Sequence, residues 1–304
     1  DLRISRLQQN LQSTSDPAPR TDLLNELSAA FLPSNLDSAL AYARQAYDLS
    51  RTANYTRGLG EARLNQAFAL IGKGLLADAS ALLKKAEVEF SQTKDMVGMG
   101  KVALCEVAFD RAKGQLLPAL AGCLKADSLF VVADYSPGQV RTLLVQAAIF
   151  REIGSDSLAL TFLQEAEDLV SRDSNTVWNP DALPLLQEMV AVEERLGKHF
   201  KAVAHAEHAG KIYEHLRHFD AQAVAFEISK SRLHHQLSNL PMQLKTAERA
   251  LSMAQAEHDS LSEALSWIAV GRAHFDDAHP DLAGPCFANA VKLLQSRSTS
   301  KTLA

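Results

Sequence analysis

The sequence predicts an all-α fold, an α-α superhelix of about seven helical hairpins stacked as one solenoid. Three observations carry this. Pairs of alanines seven residues apart recur at Ala39/Ala46, Ala79/Ala86, Ala119/Ala126, Ala159/Ala166, Ala202/Ala209 and Ala283/Ala290, with an imperfect copy at Gln243/Ala250. Successive copies begin 40, 40, 40, 43, 41 and 40 residues apart. A compact residue stands twelve positions before each later pair, at Ala67, Val107, Ala147, Val190, Ser231 and Gly271, and Ser28 takes that place one residue closer in the first copy. Seven residues are close to two helical turns, so the two members of a pair share a face. Small side chains on that face let a neighbouring helix approach closely. A fixed period of this length marks stacked units, none of which buries its apolar face alone.

The elements follow in order. Residues 1–20 read as an N-terminal helix and linker: Leu2, Ile4, Leu7 and Leu11 form a short amphipathic stripe suited to cover the end of the first unit, and Ser13–Arg20 reads as a loop. Residues 21–177 hold units one to four. Each unit reads as two antiparallel helices divided by a turn signal, at Pro33-Ser34-Asn35, Gly72-Lys73-Gly74, Lys113-Gly114 and Gly154-Ser155-Asp156. Glycine ends a helix in the left-handed region without a Cβ penalty, and Ser, Asp or Asn caps the next one. Pro118 falls in a first turn, where its missing N–H does no harm. The 43-residue step brings a polar stretch, Ser171–Pro180 with Trp178, expected as a hinge between two halves. Residues 178–304 hold units five to seven and a tail, with turns at Gly197-Lys198, Ser238-Asn239 and His279-Pro280. Pro285 is expected to kink the last helix or mark its late start.

The compact residue, the turn and the alanine pair together resemble the tetratricopeptide repeat, from Thr21 to about Ser296. The usual repeat has 34 residues, so the helices here should be longer, as in sensor regions of bacterial signalling proteins. Several of the family's aromatic positions are missing. The resemblance implies a right-handed superhelix whose concave side is lined by the first helix of each unit. Ligands are then met six and three residues before the compact position, and one, four and five after it. Carried over, these positions give Glu61, Leu64, Phe68 and Ile71 in unit two; Lys101, Leu104 and Arg111 in unit three; Arg141, Leu144 and Arg151 in unit four. They give Gln187, Glu194 and Arg195 in unit five, Ile228, Arg232 and His235 in unit six, and Ile268, Arg272 and Phe275 in unit seven. Leu64, Leu104 and Leu144 read equally as core between hairpins.

The basic members recur in phase: Lys101 with Arg141, Arg111 with Arg151, and Arg232 with Arg272. Equal phase aligns them on one groove wall, and guanidinium forks suit carboxylates. The expected partner is a protein or peptide, acidic or carboxylate-ended, held by Lys101, Arg111, Arg141, Arg151, Arg195, Arg232 and Arg272 with Phe68, Ile71 and Phe275. The bland reading is a solvated charged face.

Composition narrows the rest. Apolar content of 47% and charged content of 22% are ordinary globular values. A net charge of −5 makes nucleic acid an unsuited main partner. No run approaches the length of a membrane helix. Cys105, Cys123 and Cys286 lack metal-type spacing and read as buried thiols. All ten histidines fall between His199 and His279; neighbours such as His205/His208 could bind zinc, but H-E-x-x-H is absent and no further ligand set completes a site. The same histidines could make a pH-responsive surface. There is no phosphate loop, and the bare G-x-G spacings at Gly58/Gly60 and Gly98/Gly100 follow no strand. The chain therefore reads as no enzyme, with no cofactor and no metal. It begins at Asp1 without Met, as an excised or processed segment would, and the compartment, bacterial periplasm or cytoplasm, stays open. The expected function is a non-catalytic peptide-binding scaffold, by resemblance the sensor or regulatory region of a larger bacterial signalling protein. A self-association module forming a homodimer is the alternative, and a small-molecule sensor near Phe68 and Ile71 the second.

Overall fold

Two helices of 17 residues and two three-residue turns fill one 40-residue period, which is why this repeat is longer than its usual relatives. The computed structural model describes residues 2–172, 182–216 and 219–302. Among the described residues there are fifteen helices and no strand: α1 (Leu2–Ser13), α2 (Pro17–Phe31), α3 (Leu36–Thr52), α4 (Thr56–Gly72), α5 (Leu76–Gln92), α6 (Met96–Ala112), α7 (Leu116–Val132), α8 (Ser136–Glu152), α9 (Asp156–Arg172), α10 (Leu183–Arg195), α11 (His199–Leu216), α12 (Ala221–Gln236), α13 (Leu240–Ala256), α14 (Ser260–Asp276) and α15 (Pro280–Thr302). The helices α2/α3, α4/α5, α6/α7, α10/α11, α12/α13 and α14/α15 pack as helical hairpins. The chain divides into two compact units, 1–153 with α1–α8 and 154–304 with α9–α15. The hinge expected at Ser171–Pro180, with Trp178, falls almost wholly outside the described residues.

The alanine pairs do what their spacing implies. Every alanine of the six full pairs is buried, ten of them with no exposed surface at all. The imperfect copy is accommodated by hydrogen bonding: Gln243 is buried, and its Nε2 donates to Asp276 Oδ2 at 2.7 Å. Where the compact residue is a serine, the hydroxyl crosses the hairpin to the main chain. Ser28 Oγ donates to the Ala39 carbonyl at 2.8 Å, and Ser231 Oγ to the Gln243 carbonyl at 2.9 Å. Each bond satisfies a buried hydroxyl that would otherwise cost about 1–3 kcal/mol.

Hairpins in the first unit stack ring against glycine. Phe90 and Phe130 are fully buried. A Cβ placed on Gly98 would lie 2.1 Å from the Phe90 ring, and one on Gly138 would lie 2.4 Å from the Phe130 ring. Both glycines sit at the third residue of the helix that opens the next hairpin, α6 and α8.

Turns inside hairpins use glycine in the left-handed region at Gly74 (φ 77°), Gly114 (φ 72°) and Gly197 (φ 69°), and Ser238 and Ala278 stand there in the last two. The turns between hairpins reach the same region with Asn54, Lys94, Asp134 and His258, which the sequence reading did not signal. Asn35, Asp95, Asp220, Asn239 and Asp259 cap the following helices through side-chain oxygens.

Two boundaries differ from expectation. The loop expected at Ser13–Arg20 is short, because Pro17 starts α2 at the position where a missing N–H is harmless. At the other end α15 begins at Pro280 and runs through Pro285, so there is no late start; an N–H at that position would have bonded only to Asp281, in the first turn. The N-terminal stripe packs as expected, with Leu7 buried and Leu11 set against the cluster of Leu24, Ala46 and Ala62.

Candidate functional site: the inner wall of the first helices

In the first unit α2 touches α4, α4 touches α6 and α6 touches α8, whereas the second helices of successive hairpins do not approach so closely. The layer with the tighter spacing lies inside the curve, so the first helices form the inner wall. In the second unit α12 and α14 pack the same way, but α10 and α12 stand further apart.

Most basic residues on this wall are already engaged. Lys101 Nζ lies 2.5 Å from Glu61 Oε1, and Arg111 pairs with Glu152. In the second unit Arg195 Nε lies 3.0 Å from Asp156 Oδ2. Arg232 makes a two-pronged contact with Glu194, at 2.5 and 2.7 Å. Each pair joins residues about one period apart on neighbouring helices, so these cations are neutralised by carboxylates of an adjoining repeat. Arg151 is half-buried and also interacts. Arg272 is exposed.

Arg141 is different. Its side chain is open to solvent on α8, yet the surrounding helices desolvate the guanidinium enough to lower its pKa. Surface exposure and crowding together describe a group on a concave wall. Among the described residues no carboxylate pairs with it.

The apolar candidates separate. Phe68 and Ile71 are half-buried and pack on the cluster of Leu64, Ala67, Leu83 and Phe90, so they serve the core as well as the wall. Leu64 and Leu104 are buried, Leu144 half-buried. Phe275 is 64% exposed.

The sequence reading did not find the cleft between α10 and α12. It has a volume of about 170 Å³. Val190, Ala191, Ala225 and Phe226 make its apolar lining, and Gln187, Gln222, Ser229 and Arg232 its polar rim. Gln187 and Arg232 were legible as wall positions. The wider gap between α10 and α12, which makes a hollow of them, was not.

Three of the described histidines, His205, His235 and His279, lie against carboxylates. His205 is hydrogen-bonded to the buried Glu193 at 2.7 Å and lies 3.4 Å from Glu167. Burial alone would lower its pKa, but the bond and the charges of the two carboxylates raise it. His235 Nδ1 lies 2.9 Å from Asp276. Among the described residues no group of three or more histidine, cysteine, aspartate or glutamate side chains is placed to hold a metal ion. The three cysteines are unbonded and buried, and burial pushes the Cys123 thiol up to about 11. Among the described residues no helix is long and apolar enough to cross a membrane.

Comparison with known proteins agrees with this architecture. Residues 1–97 match the family model described as the SusR N-terminal TPR domain. Those residues carry a tetratricopeptide-repeat domain. The rest of the repeat array is supported by solved structures of the same fold. A signal transduction ATPase with numerous domains, carrying a tetratricopeptide repeat sensor and coming from Pyrococcus horikoshii, superposes with a TM-score of 0.70 at 16% identity, over 97% of this chain and 45% of that one. The tetratricopeptide-repeat array thus spans under half of that protein. The apo quorum sensor NprR from B. thuringiensis gives 0.60 at 13% identity, over 96% and 80% of the two chains. A Rap protein complexed with competence and sporulation factor gives 0.57 at 12%, over 90% and 76%. At these identities the likeness is one of fold. No curated protein sequence matches the chain.

Proposed function

We propose that this tetratricopeptide-repeat array is a non-catalytic scaffold that captures a peptide or protein segment on its inner wall, as the sensor or regulatory region of a signalling protein. The fold neighbours named as sensors, and the Rap protein solved with a bound factor, favour that class of role. The observation that carries the chemistry is Arg141: a desolvated guanidinium, open to the wall and without a carboxylate of its own. A carboxylate from a ligand, side chain or chain end, would complete it as Glu61 completes Lys101.

The test is a peptide array of acidic sequences with free or amidated C-termini, read for capture by the purified chain. Arg141→Glu should weaken capture roughly tenfold to a hundredfold, the worth of one charge-assisted hydrogen-bonded contact, while Arg141→Lys keeps part of it. Equal capture by the charge-reversed protein would end this reading.

A second reading is favoured by the last hairpin. Phe287 and Leu294 are 36% and 40% exposed. They stand at the repeat positions of Leu83 and Phe90, and of Cys123 and Phe130, all of which are buried by the next hairpin. Such a face suits stacking with a second copy. Light scattering across a concentration series tests it, and a monomer at every concentration removes it.

A further inference from the structure

We propose that the cleft between α10 and α12 is a pocket for one uncharged apolar side chain of the captured segment, with the carboxamides of Gln187 and Gln222 holding its main chain. The proposal rests on the peptide-binding reading and names a contact that the reading leaves open.

Size decides against larger guests. Sites for cofactors and drug-sized ligands enclose about 300–1,000 Å³, whereas this cleft has about 170 Å³. A cavity of about 150 Å³ holds a benzene-sized guest, so a leucine, methionine or phenylalanine side chain fills it. The lining matches such a guest. Val190 and Phe226 are buried and form a floor that is fixed from behind, since the Phe226 ring packs tilted against Tyr213 at 6.2 Å between centroids.

Charge decides against an acidic guest. Among the described residues the one cation on the rim, Arg232, already spends both prongs of its fork on Glu194. A ligand carboxylate here would have to displace Glu194, while a neutral side chain disturbs nothing. The rim still offers hydrogen bonds. Gln187 and Gln222 are exposed at the mouth. The Gln222 carbonyl oxygen accepts a long bond from Tyr213, at 3.4 Å, which turns its NH₂ group away from Tyr213 and leaves it free to donate. A carboxamide presents a donor and an acceptor, the complement of a peptide unit in an extended strand.

The experiment uses three capped amino acids as probes: N-acetyl-leucine, N-acetyl-glycine and N-acetyl-aspartate methylamides. Each is titrated into the full chain carrying ¹³C-labelled alanine methyls, and the Ala191 and Ala225 signals are followed. The leucine probe should shift both methyls saturably, with half-saturation near about 10 mM, a fit for so small a ligand. The glycine and aspartate probes should bind at least about tenfold more weakly. Ala225→Leu fills the mouth from an exposed position and should abolish the Ala191 response, the reporter that remains in this variant, and its unchanged circular dichroism would show that the fold persists. Gln187→Ala should weaken the leucine probe by roughly threefold to tenfold. Repeating the titration on Arg141→Glu separates the two proposals, because the cleft response should survive a change on α8. No saturable shift, equal shifts with glycine, or a response that survives Ala225→Leu would each overturn the pocket while leaving Arg141-dependent capture to stand or fall alone.

Discussion

Gly98→Ala pits two effects of opposite sign against each other. Alanine is the better helix former by about 1 kcal/mol, so propensity alone makes the substitution stabilising. The packing argument says the reverse. A Cβ at Gly98 would lie 2.1 Å from Phe90 Cδ1 and 2.5 Å from Cε1 and Cγ. The ring cannot retreat, because it is fully buried and a Cβ on Gly60 would itself come within 2.9 Å of it. Overpacking of this kind costs about 1–3 kcal/mol, so the net effect should be a loss of roughly 1–2 kcal/mol, the propensity gain being reduced so near a helix start. Gly210→Ala is the control: it is in the middle of α11, and its added Cβ meets nothing closer than 3.5 Å. That variant should gain up to about 1 kcal/mol. The assay is urea unfolding followed by far-ultraviolet circular dichroism. Stacked repeats can unfold in more than one step, so each transition is compared separately. Phe90→Leu in the Gly98→Ala background should recover part of the loss, giving a coupling energy of the size expected for residues in contact. If Gly98→Ala were as stable as the parent, or moved with Gly210→Ala, the ring-on-glycine account of hairpin stacking would be wrong.

Two further predictions concern buried charge in the second unit. Glu227 is almost fully buried, with its main partner Lys230 at 2.9 Å and Arg249 at 3.6 Å. Lys230→Met should cost about 3–5 kcal/mol by stranding the carboxylate, and adding Glu227→Gln should restore most of it in the same urea assay. His205 gains protons on folding, since Glu193 and Glu167 raise its pKa despite burial. Its contribution is therefore fully present below its unfolded pKa of about 6.5 and lost as pH rises through the higher folded value. The buried His234 runs the other way, its pKa lowered by burial and by Lys230, so it costs stability as pH falls below about 6.5. The informative quantity is thus the difference in urea midpoint between the parent and His205→Gln. It should shrink from about pH 6 to about pH 9, and a pH-independent difference would remove the ion-pair account.

The fold was legible because its grammar is written in residues with few alternatives. A buried alanine seven residues from another lets a helix pack closely, and Gln243, the one violation, shows its cost: Asp276 accepts from its Nε2, while its Oε1 is buried with no partner among the described residues. The turns inside hairpins were legible through Gly74 and Gly114. The turns between hairpins were not, because Lys94 and His258 enter the left-handed region against their own preference, held there by the helices on either side. Such strain of about 1–2 kcal/mol per residue leaves no compositional mark. The N-terminal boundary was misjudged for a related reason: Pro17 and Pro19 read as loop residues, whereas the first turn of a helix tolerates both.

The wall was legible in its cations and opaque in their fates. Phase placed Lys101, Arg111, Arg195 and Arg232 on the first helices, but each meets a carboxylate about one period away along the chain. Glu61 and Glu194 lie one turn of the array from Lys101 and Arg232 and close on them. Exposed pairs of this kind contribute about 0–1 kcal/mol each to stability, so their larger effect is to silence the stripe as a ligand surface. What distinguishes Arg141 is the residue one period before it, which is Lys101 rather than a carboxylate. The ladder of alternating charge, Glu61 to Lys101, should continue with an acid at 141 and instead meets a second base. If the missing carboxylate is the ligand's, then giving the wall its own, by Lys101→Glu, should pair Arg141 internally and abolish capture without touching the arginine. That substitution and the charge reversal of Arg141 must fail together, and capture that survives either one would place the ligand elsewhere on the array.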